Sequence, residues 1–252
     1  VKNHNDKKIV VVQGLGFVGA VMSLVVANSK NNEYAVIGVD LPKNQKFIDE
    51  LNDGKFPIVS DDPKINEYYK NSQHKKNFYA TSSELAYSLA DIIIVDINLD
   101  VQKSKSFYSS MNYDVDLTNF KRGIKSIAKR IKPNTLLLIE TTVPPGTCQK
   151  IIYPIITEEL NKRAIKGKVF LGHSYERVMP GSNYIDSIEN FYRVYSGIDN
   201  ESADKLENFL KTIIKTDKFP LTRLKNTNSS ELSKVLENSF RAMNIAFIQE
   251  WT

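Results

Sequence analysis

The segment that most constrains how this chain can fold is Ile9-Val10-Val11-Val12-Gln13-Gly14-Leu15-Gly16-Phe17-Val18-Gly19. A β-branched run leads into Gly-x-Gly-x-x-Gly, and an uncharged apolar stretch continues to Ala27. The pattern reads as a strand, a tight turn and a buried helix. In such a unit the first Gly permits the turn and the second lets a ligand's phosphates approach the backbone. The third allows the helix to pack closely on the strand. The same stretch, Ile9–Ala27 behind Lys7-Lys8, superficially resembles a signal peptide or membrane span. Gln13 and the three glycines do not suit a hydrophobic region of that kind. Two buried elements are therefore expected, in a cytoplasmic protein with no membrane role.

Beyond the turn, short apolar runs alternate with longer amphipathic ones. Strands are expected at Lys8–Gln13, Tyr34–Asp40, Ile92–Ile97, Thr135–Glu140, Lys168–Gly172 and Tyr192–Ser196. Helices are expected at Phe17–Ser29, Gln45–Asn52, Ser83–Leu89, Leu117–Ile131, Thr147–Lys162 and Ala203–Ile214, with Lys103–Tyr113 a loop. Several strand runs are continuous in Ile, Val and Leu, as for strands covered on both faces. The alternation predicts an α/β fold built on a doubly wound, mostly parallel sheet. From Ser229 onward, Leu232, Val235, Leu236, Phe240, Met243, Ala246 and Phe247 recur at helical spacing, with Asn228 or Ser229 as N-cap. This last helix carries no stop signal before Thr252, which reads as the start of a longer helix and the chain as a fragment.

Composition narrows the function classes. Of 252 residues, 34 Lys and Arg stand against 29 Asp and Glu, a net charge of +5. The charge is dispersed, so no nucleic-acid partner is expected. The lone Cys148 excludes an internal disulfide and a cysteine-based zinc site, and His4, His74 and His173 match no ligand spacing, so no metal is expected. Asp40 ends the run after the glycine turn, about twenty residues beyond Gly19, where an acid can bind an adenosine ribose. Its carboxylate would repel a 2′-phosphate, favouring NAD over NADP. The alternative is a merely tight turn with a solvated Asp40.

Four motifs in order resemble the UDP-glucose/GDP-mannose dehydrogenase family of nucleotide-sugar 6-dehydrogenases. They are the glycine fingerprint with Asp40, Glu140-Thr141-Thr142-Val143-Pro144-Pro145-Gly146-Thr147, Tyr175-Glu176-Arg177-Val178-Met179-Pro180-Gly181, and Glu231-Leu232-Ser233-Lys234 through Asn238 to Phe247. Tyr175 stands where relatives carry Pro, and Leu99-Asp100-Val101 where they carry Thr-Pro-Thr. Pro180 replaces a second Glu of UDP-glucose enzymes, which looks closer to the branch acting on UDP-N-acetylhexosamines. The resemblance implies a Rossmann-type NAD-binding domain over residues 1–226 and the start of a long dimerisation helix over 227–252. It implies oxidation of a UDP-sugar C6 alcohol to the uronate with two NAD+, through an aldehyde captured by a cysteine and a thioester, in a protein that is a homodimer when full length.

Carried over residue by residue, Gly14, Gly16, Phe17, Val18, Gly19, Asp40 and Thr142 would bind NAD. Glu176 would help activate the hydrolytic water, and Lys234 and Asn238 would hold the sugar C6 oxygen. Lys234 and Asn238 are four apart and share one helix face, a cation and an amide donor suited to a developing alkoxide. From the residues alone this stripe reads more readily as a solvated face, because charged stripes usually face water, and the alternative for Glu176 is a surface acid paired with Arg177 or a lysine. The family's catalytic Cys lies beyond the Lys/Asn helix, and Cys148 reads as a small semi-buried residue, so the chain alone is expected to bind NAD without completing catalysis. A hydroxyacid-type dehydrogenase and a non-catalytic NAD-binding module are the competing readings.

Overall fold

A computed structural model describes residues 7–29, 34–99 and 115–251. Its elements are β1 (Lys8–Gln13), α1 (Phe17–Ala27), β2 (Tyr34–Val39), α2 (Gln45–Asn52), α3 (Pro63–Lys75), β3 (Phe78–Thr81), β4 (Ile92–Val95) and α4 (Thr118–Ala128). There follow β5 (Leu136–Ile139), α5 (Tyr153–Lys162), β6 (Phe170–His173), α6 (Asp186–Glu189), β7 (Arg193–Gly197), α7 (Asn200–Ile213), β8 (Leu221–Arg223) and α8 (Thr227–Trp251). The strands form one sheet in the order β3-β2-β1-β4-β5-β6-β7-β8. All neighbours are parallel except β6 and β7. The chain reverses direction of travel between β1 and β4, which places a crevice at their C-terminal ends.

Both faces are covered, which is why the central strands are uninterrupted hydrocarbon. Val10, Val12, Ile94 and Leu138 pack on one face under α1, α3 and α7. Val11, Ile93, Val95 and Leu137 pack on the other under α4 and α5. The Ile9–Ala27 stretch is β1, the turn and α1, as expected from its glycines. No helix among the described residues is long and apolar enough to cross a membrane.

Several local expectations are corrected. Ser83–Leu89 is only a 3-10 turn over Glu84–Ser88, and Thr147–Lys162 opens with a π-helical turn, Cys148–Ile152, before α5. α7 begins at Asn200 rather than Ala203, because the Asp199 carboxylate accepts the Ser202 N–H at 2.8 Å and caps it. Asn226, not Asn228 or Ser229, caps α8: its Oδ1 accepts from the Ser229 N–H at 3.0 Å. α3, α6, β3 and β8 were not anticipated. The Lys103–Tyr113 loop, Asp100 and Val101 lie outside the described residues.

The last helix reverses the expected burial. Leu232, Leu236, Phe240 and Met243 are 45%, 59%, 71% and 72% exposed, whereas Glu231 and Lys234 are buried. The polar side of α8 meets β6, β7 and the π-helical turn, so its apolar stripe points outward.

Candidate functional site

Each glycine of the first turn answers to its own constraint. Gly14 has φ +94°, and a Cβ there would lie 2.5 Å from the Asp96 carbonyl oxygen. A Cβ on Gly19 would lie 1.8 Å from the Gly14 carbonyl oxygen, so only glycine lets α1 sit this close to β1. Nothing lies within 4 Å of the Cβ position of Gly16. The space beside Gly16 is open, which suits the approach of a phosphate. Gly16 is the N-cap of α1, with no side-chain cap and no acid in the first turn. The N–H groups there and the helix dipole are left to favour an anion. Phe17 is exposed and Val18 partly so, and the Tyr184 hydroxyl donates to the Phe17 carbonyl at 2.7 Å.

Asp40 follows β2 and lies beside this turn. Its Oδ2 accepts the Leu15 N–H at 3.0 Å, and its Oδ1 accepts from the Leu41 N–H at 2.6 Å and Asn44 Nδ2 at 3.0 Å. The carboxylate is thus pinned at the rim of the crevice. An open glycine, an uncapped helix start and an oriented carboxylate fit the pyrophosphate and adenosine ribose of a dinucleotide.

Two strands along, the chain leaves β5 through Glu140, Thr141 and Thr142. Thr141 turns inward, its hydroxyl donating to the Val95 and Ile97 carbonyls at 3.1 and 3.0 Å, while Thr142 is exposed. The turn that follows is clamped from α8: Glu231 accepts the Gly146 N–H at 2.5 Å and the Cys148 N–H at 2.8 Å. Burial raises the Glu231 carboxyl, and these hydrogen bonds oppose the rise. Cys148 is fully buried, and burial and Glu231 push its thiol well up. A thiol held protonated and sealed from solvent is no nucleophile.

Lys234 reaches the segment after β6. Its Nζ donates to the Glu176 carbonyl at 2.9 Å and lies 5.0 Å from the centre of the Tyr175 ring. Burial lowers its pKa, with Glu176 and Glu237 opposing and Arg241 and Arg177 reinforcing. The solvated-face reading therefore fails for Lys234, which is 7% exposed. The Glu176 carboxylate accepts the Val178 N–H, and Arg177 pairs with Glu237 at 2.6 Å rather than with Glu176. Asn238, one turn beyond Lys234, is exposed.

Beneath these groups lies a buried polar cluster not anticipated from the sequence. Glu140 and Arg193 form an ion pair, 1% and 4% exposed, and Arg193 Nε also donates to the Tyr175 carbonyl at 3.1 Å. His173 is fully buried, with Nδ1 at 2.8 Å from the Ser230 hydroxyl. Burial, with Arg193 and Lys234 alongside, lowers its pKa to about 3, so the ring stays neutral. One signal was available: Asp96 and Glu140 each close an apolar run, which puts charge where neighbouring strands end together.

A sequence model of the UDP-glucose/GDP-mannose dehydrogenase family, NAD binding domain, matches residues 7–214. The chain is 32% identical over 251 residues to UDP-N-acetyl-D-mannosamine dehydrogenase of Methanococcus vannielii, covering 98% of this chain and 52% of that protein. With the Methanococcus maripaludis protein of the same name it is 28% identical over 249 residues, 99% of this chain and 51% of the relative. The crystal structure of NDP-N-acetyl-D-galactosaminuronic acid dehydrogenase from Methanosarcina mazei matches with TM-score 0.82 at 24% identity, over 99% of this chain and 50% of that one. That likeness speaks for the fold. The chain spans about half the length of the curated relatives it matches.

Proposed function

The chain belongs to the UDP-glucose/GDP-mannose dehydrogenase family, matching its NAD binding domain, and from that premise we propose that it is the cofactor-binding part of a UDP-sugar 6-dehydrogenase. The reaction would take the C6 alcohol of a UDP-N-acetylhexosamine to the carboxylate, water supplying the second oxygen. The observation that carries this reading is the placement of Lys234. α8 brings a buried ammonium to the Glu176 backbone, at the same C-terminal edge of the sheet as the glycine turn. The relatives named UDP-N-acetyl-D-mannosamine dehydrogenase support the substrate class.

When bound, NAD would supply the hydride acceptor. Gly14, Gly16, Phe17, Val18 and Gly19 would hold its pyrophosphate, Asp40 its adenosine ribose, and Thr142 its nicotinamide end. Lys234 and Asn238 would stabilise negative charge on the C6 oxygen, and Glu176 would orient the water. Sealed as it is, Cys148 supports a capturing cysteine outside residues 1–252. Residues 1–226 would form the NAD domain, and 227–252 would open a helix on which two copies pair.

Two measurements test the reading. Calorimetry on this chain should show NAD binding more tightly than NADP, with Asp40→Ala weakening NAD and narrowing the gap. NADH release by the longer protein should occur with UDP-N-acetylhexosamines and fall by ~10²-fold or more in Lys234→Ala, the scale of losing one oxyanion donor. Equal affinity for both cofactors, or turnover of hydroxyacids instead, would overturn it.

A further inference from the structure

Val95 and Ile139 are in-register neighbours on the parallel strands β4 and β5, and the next residues are Asp96 and Glu140. Two acids thus follow directly on adjacent strand ends, where the charge of Glu140 opposes ionisation of Asp96. Each carries one buried oxygen, Asp96 Oδ2 and Glu140 Oε2, with no protein hydrogen-bond partner. Arg193 is ion-paired to the other Glu140 oxygen, and its Nη1 has no partner. His173 is buried and neutral, with the charges of Arg193 and Lys234 acting on it, and the charge of Glu176 acts on both carboxyls. Two acids against one guanidinium leave one uncompensated negative charge in a place with little water. Such an excess is relieved by holding a proton.

We propose that Asp96 and Glu140 share one proton, and that with Arg193 they form a positioning unit beneath Glu176. Desolvation favours the protonated forms of both carboxyls, Glu140 opposes ionisation of Asp96, and Glu176 opposes ionisation of both. Burial raises Glu140 against the pull of Arg193, while burial and then Glu140 raise Asp96. With one proton held, the pair carries one negative charge and balances Arg193. That keeps the guanidinium forked between Glu140 and the Tyr175 carbonyl. Tyr175 precedes Glu176, whose own carbonyl is held by Lys234. The peptide that aims the Glu176 side chain is therefore tied by two cations from two elements, β7 and α8. Losing the proton would put a second negative charge under Glu176 and loosen that hold.

The positioning role rests on the function proposed above; the shared proton does not. At pH 6, infrared spectra of this chain should contain one buried carboxylic-acid carbonyl band. Asp96→Asn and Glu140→Gln should each abolish it, because either leaves a single acid ionised against Arg193. No such band in the unmodified chain, or loss in only one variant, would overturn the proposal. Should a variant not fold, carboxyl ¹³C resonances of the unmodified chain decide. One Asp and one Glu carbon should titrate together in two shared steps, and titration of one residue type alone overturns it. In the longer protein, Arg193→Lys should lower kcat by about ten- to a hundredfold with NAD affinity unchanged, as for a misplaced catalytic group. A normal kcat would end the positioning role. Absence of UDP-sugar turnover in the unmodified protein would count against the proposed function, leaving the spectra to judge the shared proton.

Discussion

Gly14 and Gly16 are two residues apart and under different constraints, so substitution separates folding from binding. Gly14→Ala places a methyl against the Asp96 carbonyl at positive φ and should cost about 1–3 kcal/mol. Gly16→Ala meets open space at φ −71°, so thermal unfolding should be unchanged or slightly raised while calorimetry shows weakened NAD binding. Equal NAD affinity in Gly16→Ala would remove the phosphate role from this turn. His173 yields a prediction in pH. An unfolded imidazole takes up a proton near 6.5, whereas folded His173 resists until about 3. Between those values the unfolded chain binds more protons, so stability should fall as pH drops from about 6.5. The Asp96 and Glu140 carboxyls act in the opposite sense: burial raises both, so the folded pair keeps a proton that the unfolded chain releases in the ordinary carboxyl range, and that share of stability is lost as pH rises. The urea midpoint of His173→Gln should therefore fall less than that of the unmodified chain between pH 7 and pH 5, and an equal fall would refute the buried neutral ring.

At the scale of elements, the join between α8 and the turn after β5 is a carboxylate reading two backbone N–H groups. Glu231→Gln keeps the shape but can offer only one acceptor atom, and turns an amide N–H₂ toward the other donor. We expect a loss of about 1–3 kcal/mol in urea unfolding, with faster hydrogen exchange at the Gly146 and Cys148 amides. Unchanged exchange there would show the clamp to be dispensable. Elements whose signal is local were legible from the sequence. β1 and α1 follow from an apolar run, three glycines and another apolar run, all within twenty residues. α3 escaped because only Ile65, Tyr69 and Ser72 are buried in a polar segment, although Asp62 before Pro63 is a cap signal that could have found it. β3 and β8 escaped because they are short, at or near the sheet's edges, with partly exposed side chains. The Asp96, Glu140, His173 and Arg193 cluster escaped for a different reason. Its members lie on, or directly past the ends of, four strands, and only the strand order brings them together.

For the molecule as a whole, α8 poses the sharpest energetic problem. A helix of 25 residues runs roughly 37 Å at 1.5 Å per residue, and only its first turns touch the sheet domain. Leu232, Leu236, Phe240, Met243, Phe247, Ile248 and Trp251 are all 45% exposed or more. Helices draw most of their stability from packing, and a continuous apolar stripe of this length is what an interface looks like before it closes. The apolar periodicity was legible in the sequence; that it faces outward was not. Spacing shows that a stripe exists, and only the buried clamp of Glu231 and Lys234 shows which side the domain takes. A second copy pairing α8 with α8 about a twofold axis would cover the stripe with the same residues from both chains. Sedimentation equilibrium should then find a dimer at micromolar concentration, and Phe240→Glu with Met243→Glu should yield monomers. These exposed side chains are not among the groups assigned to the cofactor, so the monomer should keep its NAD affinity. Lys234 rides on the same helix, however. If pairing holds α8 in place, the doubly substituted longer protein should lose turnover while still binding NAD. A monomeric unmodified chain, or full turnover from monomers, would show that α8 needs no partner to present Lys234.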